Sequence, residues 1–277
     1  MDAAWRAGLR YFDTAPLYGG GDSERRYGHA LREHPRDEYA ISTKVGREGE
    51  HEFDYSATAV THSIRRSCER LGVARLDVVY LHDVDPDMHG DSFERRFAEA
   101  IEAAYPALRA LRDDGVVAAM GAGLKDWNVA LRLVQAVPLD CVMLAGGYTL
   151  LQHGALEALL PWCEAHSVSI VLAAPFNSGI LAKGAVEGAR YYYEPAPPEI
   201  MQRTRDIEAV CARHAVPLAA AALQFPLHHP AVACVVAGHE RAVEVERNLS
   251  LMRHPIPPEL WTELKREGLI PAHAPTP

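Results

Sequence analysis

Residues 76–82 read LDVVYLH, an apolar, β-branched run that closes on a histidine. A continuous apolar run of this length describes a strand buried on both faces, as in a parallel sheet, with the polar residue marking its exit. Residues 9–13 (LRYFD) and 39–44 (YAISTK) follow the same rule, ending on Asp13 and Lys44. Further along come GVVAAMG (115–121), LDCVMLA (139–145), SIVLAA (169–174) and AVACVVAG (231–238), making seven runs.

Between these runs the pattern turns helical. An amphipathic segment covers 22–33, a helix is expected from about Ser56 to Leu71 with Ser56 as N-cap, and a long one from about Ser92 to Asp113. Others are expected near Trp127–Ala136, Ala155–His166, Arg241–Met252 and Pro258–Arg266, with two more before the last strand and a Gly-, Tyr- and Pro-rich loop over 176–198. This alternation predicts an α/β fold with a parallel sheet, and its length suits a (β/α)8 TIM barrel. Seven runs are one fewer than such a barrel holds. The chain opens on a helical pattern, MDAAWRAG, so the expected barrel lacks its first strand at the N-terminus.

The 277 residues, 48% hydrophobic and 23% charged, are expected to form a single domain over 1–277, because no linker-like stretch divides them. A net charge of -9 argues against a nucleic-acid surface. With no apolar run of bilayer length and no signal-like start, the expectation is a cytoplasmic chain with no membrane contact. The five cysteines (68, 141, 163, 211 and 234) lack CxxC spacing and read as reduced, buried thiols. His228–His229 has no nearby cysteine or acid and reads as a polar turn, so no metal is expected.

Asp13, Tyr18, Lys44 and His82 stand at or just past three strand exits, where α/β barrels carry their chemistry. A tyrosine is a weak acid near neutrality unless a cation such as Lys44 stabilises its phenolate. A buried lysine in turn needs a carboxylate, which Asp13 supplies, and His82 adds a donor or relay beside a reacting oxygen. The set suits alcohol–carbonyl interconversion. Taken singly, Asp13 also reads as a turn cap, Lys44 as a solvated strand end and Tyr18 as a packed aromatic.

The stretches GLRYFDTAPLYGGGDSERRYG (8–28), ISTKVG (41–46) and YLHD (80–83) resemble the aldo-keto reductases. GYTLLQ (147–152), APFNSGILAKG (174–184), PLAAAALQFPL (217–227) and ERNLSLM (246–252) are similar to the aldose 1-dehydrogenase subgroup of that family. The resemblance implies an NAD(P)-dependent oxidoreductase with Tyr18 as general acid/base, Lys44 lowering its pKa, Asp13 partnering Lys44, and His82 orienting the substrate oxygen. Asp83, next to His82, reads either as a support to the site or as a structural residue.

For the cofactor, the resemblance points to Asn177, Ser178 and Gly179 at the pyrophosphate, with an ordinary Asn-Ser-Gly turn as the other reading. It points to Gly238, Arg241 and Asn248 at the adenosine end; Asn248 also reads as part of a helix's polar face. Ala173, the Gly123-Leu124-Lys125 stretch and Ala145 depart from residues the family commonly uses at the nicotinamide. Gly238 and Glu244 stand where NADP-dependent relatives carry cations, so NAD is expected, with Arg241 keeping NADP open.

A neutral, polar small molecule is the expected substrate, an aldose oxidised at its anomeric carbon, with Trp127 as a substrate-binding residue and Tyr191–Tyr193 as packing in a lid. Other readings are a dehydrogenase or reductase of another small carbonyl or hemiacetal such as pyridoxal, or an inactive cofactor-binding fragment. A monomer is what the resemblance implies.

Overall fold

A computed structural model describes residues 1–277. The chain forms two compact units, Met1–Met143 and Leu144–Pro277. In the first, β1 (Tyr11–Asp13), β2 (Ala40–Val45), β3 (Leu76–His82) and β4 (Val117–Leu124) lie side by side in that order, all parallel. The register sets Asp13 against Ser42, Lys44 against Tyr80 and His82 against Gly123. Most of β2 and β3 is buried without alternation, as covering on both faces requires.

The strand β5 (Cys141–Ala145) begins in this unit and ends in the next. The second unit adds β6 (Ser169–Ala173), a two-stranded antiparallel hairpin of β7 (Arg190–Tyr191) and β8 (Glu194–Pro195), and β9 (Val232–Val236), which runs parallel to β6. The seven main strands are those the sequence marks, and none precedes Tyr11.

The helices fall where the periodicity puts them, with two differences. The expected helix over 92–113 contains a wide π-turn at Ala100–Ala104, between Phe93–Glu99 and Tyr105–Asp113. Pro106 has no N–H for the carbonyl four residues back, and the wider turn absorbs that loss without ending the helix. The expected helix over 155–166 divides into a tight turn, Gly154–Leu156, and a helix, Leu159–Ala165, because Pro161 cannot serve as an interior donor for a longer one. The loop over 176–198 holds the turn Asn177–Gly179, the short helix Ile180–Lys183 and the β7–β8 hairpin.

The first unit is tied together by a buried acid. Glu24, on helix Asp22–Leu31, accepts from Thr43 Oγ1 of β2 at 2.6 Å and from Arg70 Nε of helix Ala57–Leu71 at 2.5 Å. Ser56 caps that second helix by accepting from the Ala59 N–H at 3.3 Å, and Gly72 ends it in a left-handed conformation. The two helices touch at Gly28, where a Cβ would stand 2.5 Å from the Arg70 carbonyl oxygen. Gly28→Ala must therefore separate the helices and strain the Glu24–Arg70 bond. The expected cost is about 1–3 kcal/mol, read as a lower denaturant midpoint at unchanged slope; an unchanged midpoint would contradict this packing.

Candidate active site

The parallel register carries Asp13, Lys44 and His82 to neighbouring strand exits, and the turn after β1 brings Tyr18 back over them. Lys44 Nζ donates to Asp13 Oδ2 at 2.6 Å and to the Thr14 carbonyl at 2.8 Å. Only 2% of Lys44 is exposed. The other Asp13 oxygen accepts from Ser42 Oγ at 2.6 Å; Ser42 accepts from the Tyr11 hydroxyl at 2.9 Å, and Tyr11 shares a 2.9 Å hydrogen bond with Tyr80. The Tyr18 ring lies 4.7 Å from Lys44 Nζ and edge-on to His82, with centroids 6.2 Å apart. All four residues expected to act together are thus assembled.

Electrostatics acts on three of them, Lys44, Tyr18 and His82. Burial alone would depress the Lys44 pKa, but the charge and hydrogen bond of Asp13, aided by Tyr18, outweigh it and raise the value, so Lys44 is an ammonium. Tyr18 exposes 41% of its surface, yet its hydroxyl is desolvated, and that raises its pKa. Lys44 opposes the rise through charge and a hydrogen bond, while Asp13 and Asp83 add to it. The lowering influence expected of Lys44 is present, but burial exceeds it. His82 is pushed down to about 3, first by burial, so its imidazole is neutral; Asp83 opposes this, and Lys44, Arg47 and Lys125 reinforce it.

The model of the Aldo/keto reductase family matches residues 1–267. The chain belongs to the aldo/keto reductase family. It is 39% identical to D-threo-aldose 1-dehydrogenase from Pseudomonas sp, over 98% of this chain and 87% of that one. It is 36% identical to pyridoxal 4-dehydrogenase from Microbacterium luteolum, again over 98% and 87%. The holo structure of an aldo-keto reductase from Bacillus halodurans superimposes with a TM-score of 0.76 at 24% identity, covering 99% of this chain and 86% of that one. The fold is accordingly the α/β barrel of these reductases, of which the described residues supply seven strands, and the protein is an oxidoreductase of the family.

Around the four residues this reductase has supports that the sequence shows only as adjacency. Asp83 takes a left-handed backbone, φ 53°, uncommon for a residue with a side chain. The Tyr55 hydroxyl secures it, donating to the His82 carbonyl at 2.7 Å and to that of Asp83 at 3.2 Å. Its carboxylate pairs with Arg47 at 2.5 Å. Asp85, 1% exposed, accepts the Asp126 N–H at 2.8 Å and that of Lys125 at 3.2 Å; burial pushes its pKa up to about 7. Lys125 pairs with Asp87 at 3.2 Å. Trp127 is half-buried at the start of helix Trp127–Ala136.

The residues the resemblance gives to the cofactor all lie in the second unit. Asn177, Ser178 and Gly179 each have positive φ. The Asn177 side chain is committed within the fold, accepting from Thr149 Oγ1 at 2.6 Å and donating to the Gly146 carbonyl at 3.3 Å. Its N–H and that of Gly179 close the turn on Ala174 and Phe176, and Ser178 Oγ accepts the Tyr193 N–H at 2.9 Å. Nothing lies within 4 Å of where a Cβ would stand on Gly179 or Gly238, so phosphate or ribose oxygens can approach either backbone. Arg241 holds Glu244 with two bonds, 3.0 and 2.9 Å, and Asn248 Nδ2 lies 3.0 Å from His239 Nε2. Tyr191 stacks edge-on against Tyr192 and bonds Gln152, while Tyr193 is exposed.

No helix is long and apolar enough to cross a membrane, and no group of three or more His, Cys, Asp or Glu side chains could hold a metal. Because Lys44 is the cation that opposes the rise in the Tyr18 pKa, Lys44→Met should move ionisation of Tyr18 to still higher pH. The readout is the tyrosinate absorbance that Tyr18→Phe removes; a shift to lower pH would contradict the arrangement.

Proposed function

We propose that this reductase is an NAD-preferring aldose 1-dehydrogenase, oxidising the anomeric carbon of a neutral sugar of the D-threo-aldose or L-fucose type to the lactone. The observation that carries the reading is the buried Lys44–Asp13 pair under Tyr18, in a chain whose relatives at 39% and 36% identity are both dehydrogenases.

The cofactor supplies a hydride acceptor when bound. The open backbones of Gly179 and Gly238 fit it, with Ser178 and Asn248 beside them, while Asn177 serves by shaping the turn. Tyr18 takes the proton of the anomeric hydroxyl as the C–H electron pair leaves as hydride, so oxidation needs the tyrosinate. Lys44 stabilises that anion, Asp13 keeps Lys44 charged and fixed, and neutral His82 offers a hydrogen bond to the reacting oxygen. Trp127 gives the sugar an aromatic face. A raised Tyr18 pKa implies that oxidation quickens as pH rises toward and beyond about 10.

Tyr18→Phe should abolish turnover and leave NAD affinity, followed by fluorescence, nearly unchanged; retained turnover would refute the mechanism. A panel of L-fucose, D-arabinose, L-galactose and pyridoxal decides the substrate, and oxidation of pyridoxal alone would favour the second relative's chemistry.

The preference for NAD rests on Glu244. Its carboxylate repels a 2′-phosphate and occupies Arg241, the arginine that would otherwise bind one. Glu244→Gln should raise the ratio of kcat/KM for NADP over NAD several-fold, and an unchanged or lowered ratio would show that Arg241 and Glu244 do not face the ribose.

A further inference from the structure

We propose that Asp83 is a positioning residue that fixes the His82 proton on Nε2, and that Arg47, which grips Asp83, keeps the imidazole neutral. The inference rests on the reading that His82 meets the reacting oxygen. It assigns the two residues a part in the chemistry that neither the resemblance nor the comparisons give them.

The geometry is specific. Asp83 Oδ2 lies 3.4 Å from His82 Nε2, and the same oxygen lies 2.5 Å from Arg47 NH1. His82 Nδ1 is buried with no hydrogen-bond partner. A proton on Nδ1 would leave that N–H unsatisfied and would turn the Nε2 lone pair toward a carboxylate, two separate penalties. A proton on Nε2 leaves Nδ1 as an unpaired acceptor, a smaller loss than an unpaired buried N–H, and turns an N–H toward the carboxylate. At 3.4 Å the carboxylate orients this N–H without a tight bond, leaving it free to donate to a substrate oxygen.

Arg47 solves the problem Asp83 creates. A lone carboxylate beside a buried imidazole favours imidazolium, which would lock the ring to Asp83. Arg47 takes up that charge, and is itself fixed: NH2 donates to the Glu50 carbonyl at 3.0 Å, Nε to that of Gly49 at 3.4 Å, and the guanidinium sits 5.1 Å from the Phe53 ring. Asp83 is equally immobile, its N–H donating to the Gly123 carbonyl at 2.9 Å and its own carbonyl lying 3.0 Å from His89 Nε2.

The other charges acting on His82 are Lys44 at the exit of β2 and Lys125 past the end of β4, both favouring the neutral ring. From the turn after β1 it meets Tyr18, while Asp13 is spent on Lys44. Asp85 also titrates near neutrality, so a pH–activity profile alone would confuse the two groups.

The deciding experiment is therefore 15N NMR of the histidine-labelled full chain between about pH 4 and 8, with His82 identified by its loss in His82→Gln. The expected result is an Nε2–H tautomer that stays neutral throughout. In Arg47→Gln the His82 midpoint should climb by roughly one to three pH units. It should fall back when Asp83→Asn is added, and Arg47→Lys should keep it low. Asp83→Asn alone should mix the tautomers and lower kcat by about tenfold or more with little change in KM.

An Nδ1–H tautomer in the native chain, or a His82 midpoint unmoved by Arg47→Gln, overturns the proposal. The tautomer is read on the unaltered protein, so it decides the matter even where a variant fails to fold. It decides it also if no aldose is oxidised, which would defeat the proposed substrate but leave the imidazole result standing.

Discussion

A lysine ammonium buried beside an aspartate is the constraint on which the active site depends. Desolvation presses Lys44 toward the neutral amine, and Asp13, at 2.6 Å and aided by Tyr18, reverses that pressure. Breaking one partner of such a pair leaves an uncompensated buried charge, a far larger loss than the pair's net contribution to folding. The surroundings accordingly give Asp13 no freedom. Ser42 and Lys44 hold one carboxylate oxygen each, and the hydroxyls of Tyr11 and Tyr80 continue the network into the sheet.

That constraint explains the order of the strands as much as the chemistry. Asp13, Ser42 and Lys44 meet only if β1 and β2 are parallel and in register, and His82 joins them only if β3 follows. Glu24, bonded to Thr43 one residue before Lys44, carries the same requirement outward to the helices. Helix packing and proton chemistry are therefore not separable here, since the strand that presents the lysine also receives the buried acid.

Much of this was legible in the chain. The seven parallel strands follow from apolar runs closed by polar residues, because covering on both faces leaves no other composition open. That Asp13, Tyr18, Lys44 and His82 lie close together follows from their places at or just past strand exits. What escaped reading had a common cause: it depends on partners distant in sequence or on backbone shape. Glu24 looks like one more acid on a polar helix face, and nothing local announces that Thr43 and Arg70 enclose it. Asp83 stands next to His82 in sequence, but its left-handed backbone and its grip on Arg47 appear only in three dimensions. The resemblance gives Asn177 to the pyrophosphate, with an ordinary turn as the other reading; its amide faces inward, toward Thr149, which the sequence does not show. The π-turn at Ala100–Ala104 escaped because a proline within a helical pattern foretells a break or a kink and not which one.

Gly46 lies between Lys44 and Arg47 with φ 95°, and a Cβ there would stand 2.3 Å from the Tyr55 ring. The hydroxyl of that ring holds the carbonyls of His82 and Asp83. One methyl group at this position would thus disturb the lysine, the arginine and the histidine together, which makes the strand exit nearly closed to gradual change.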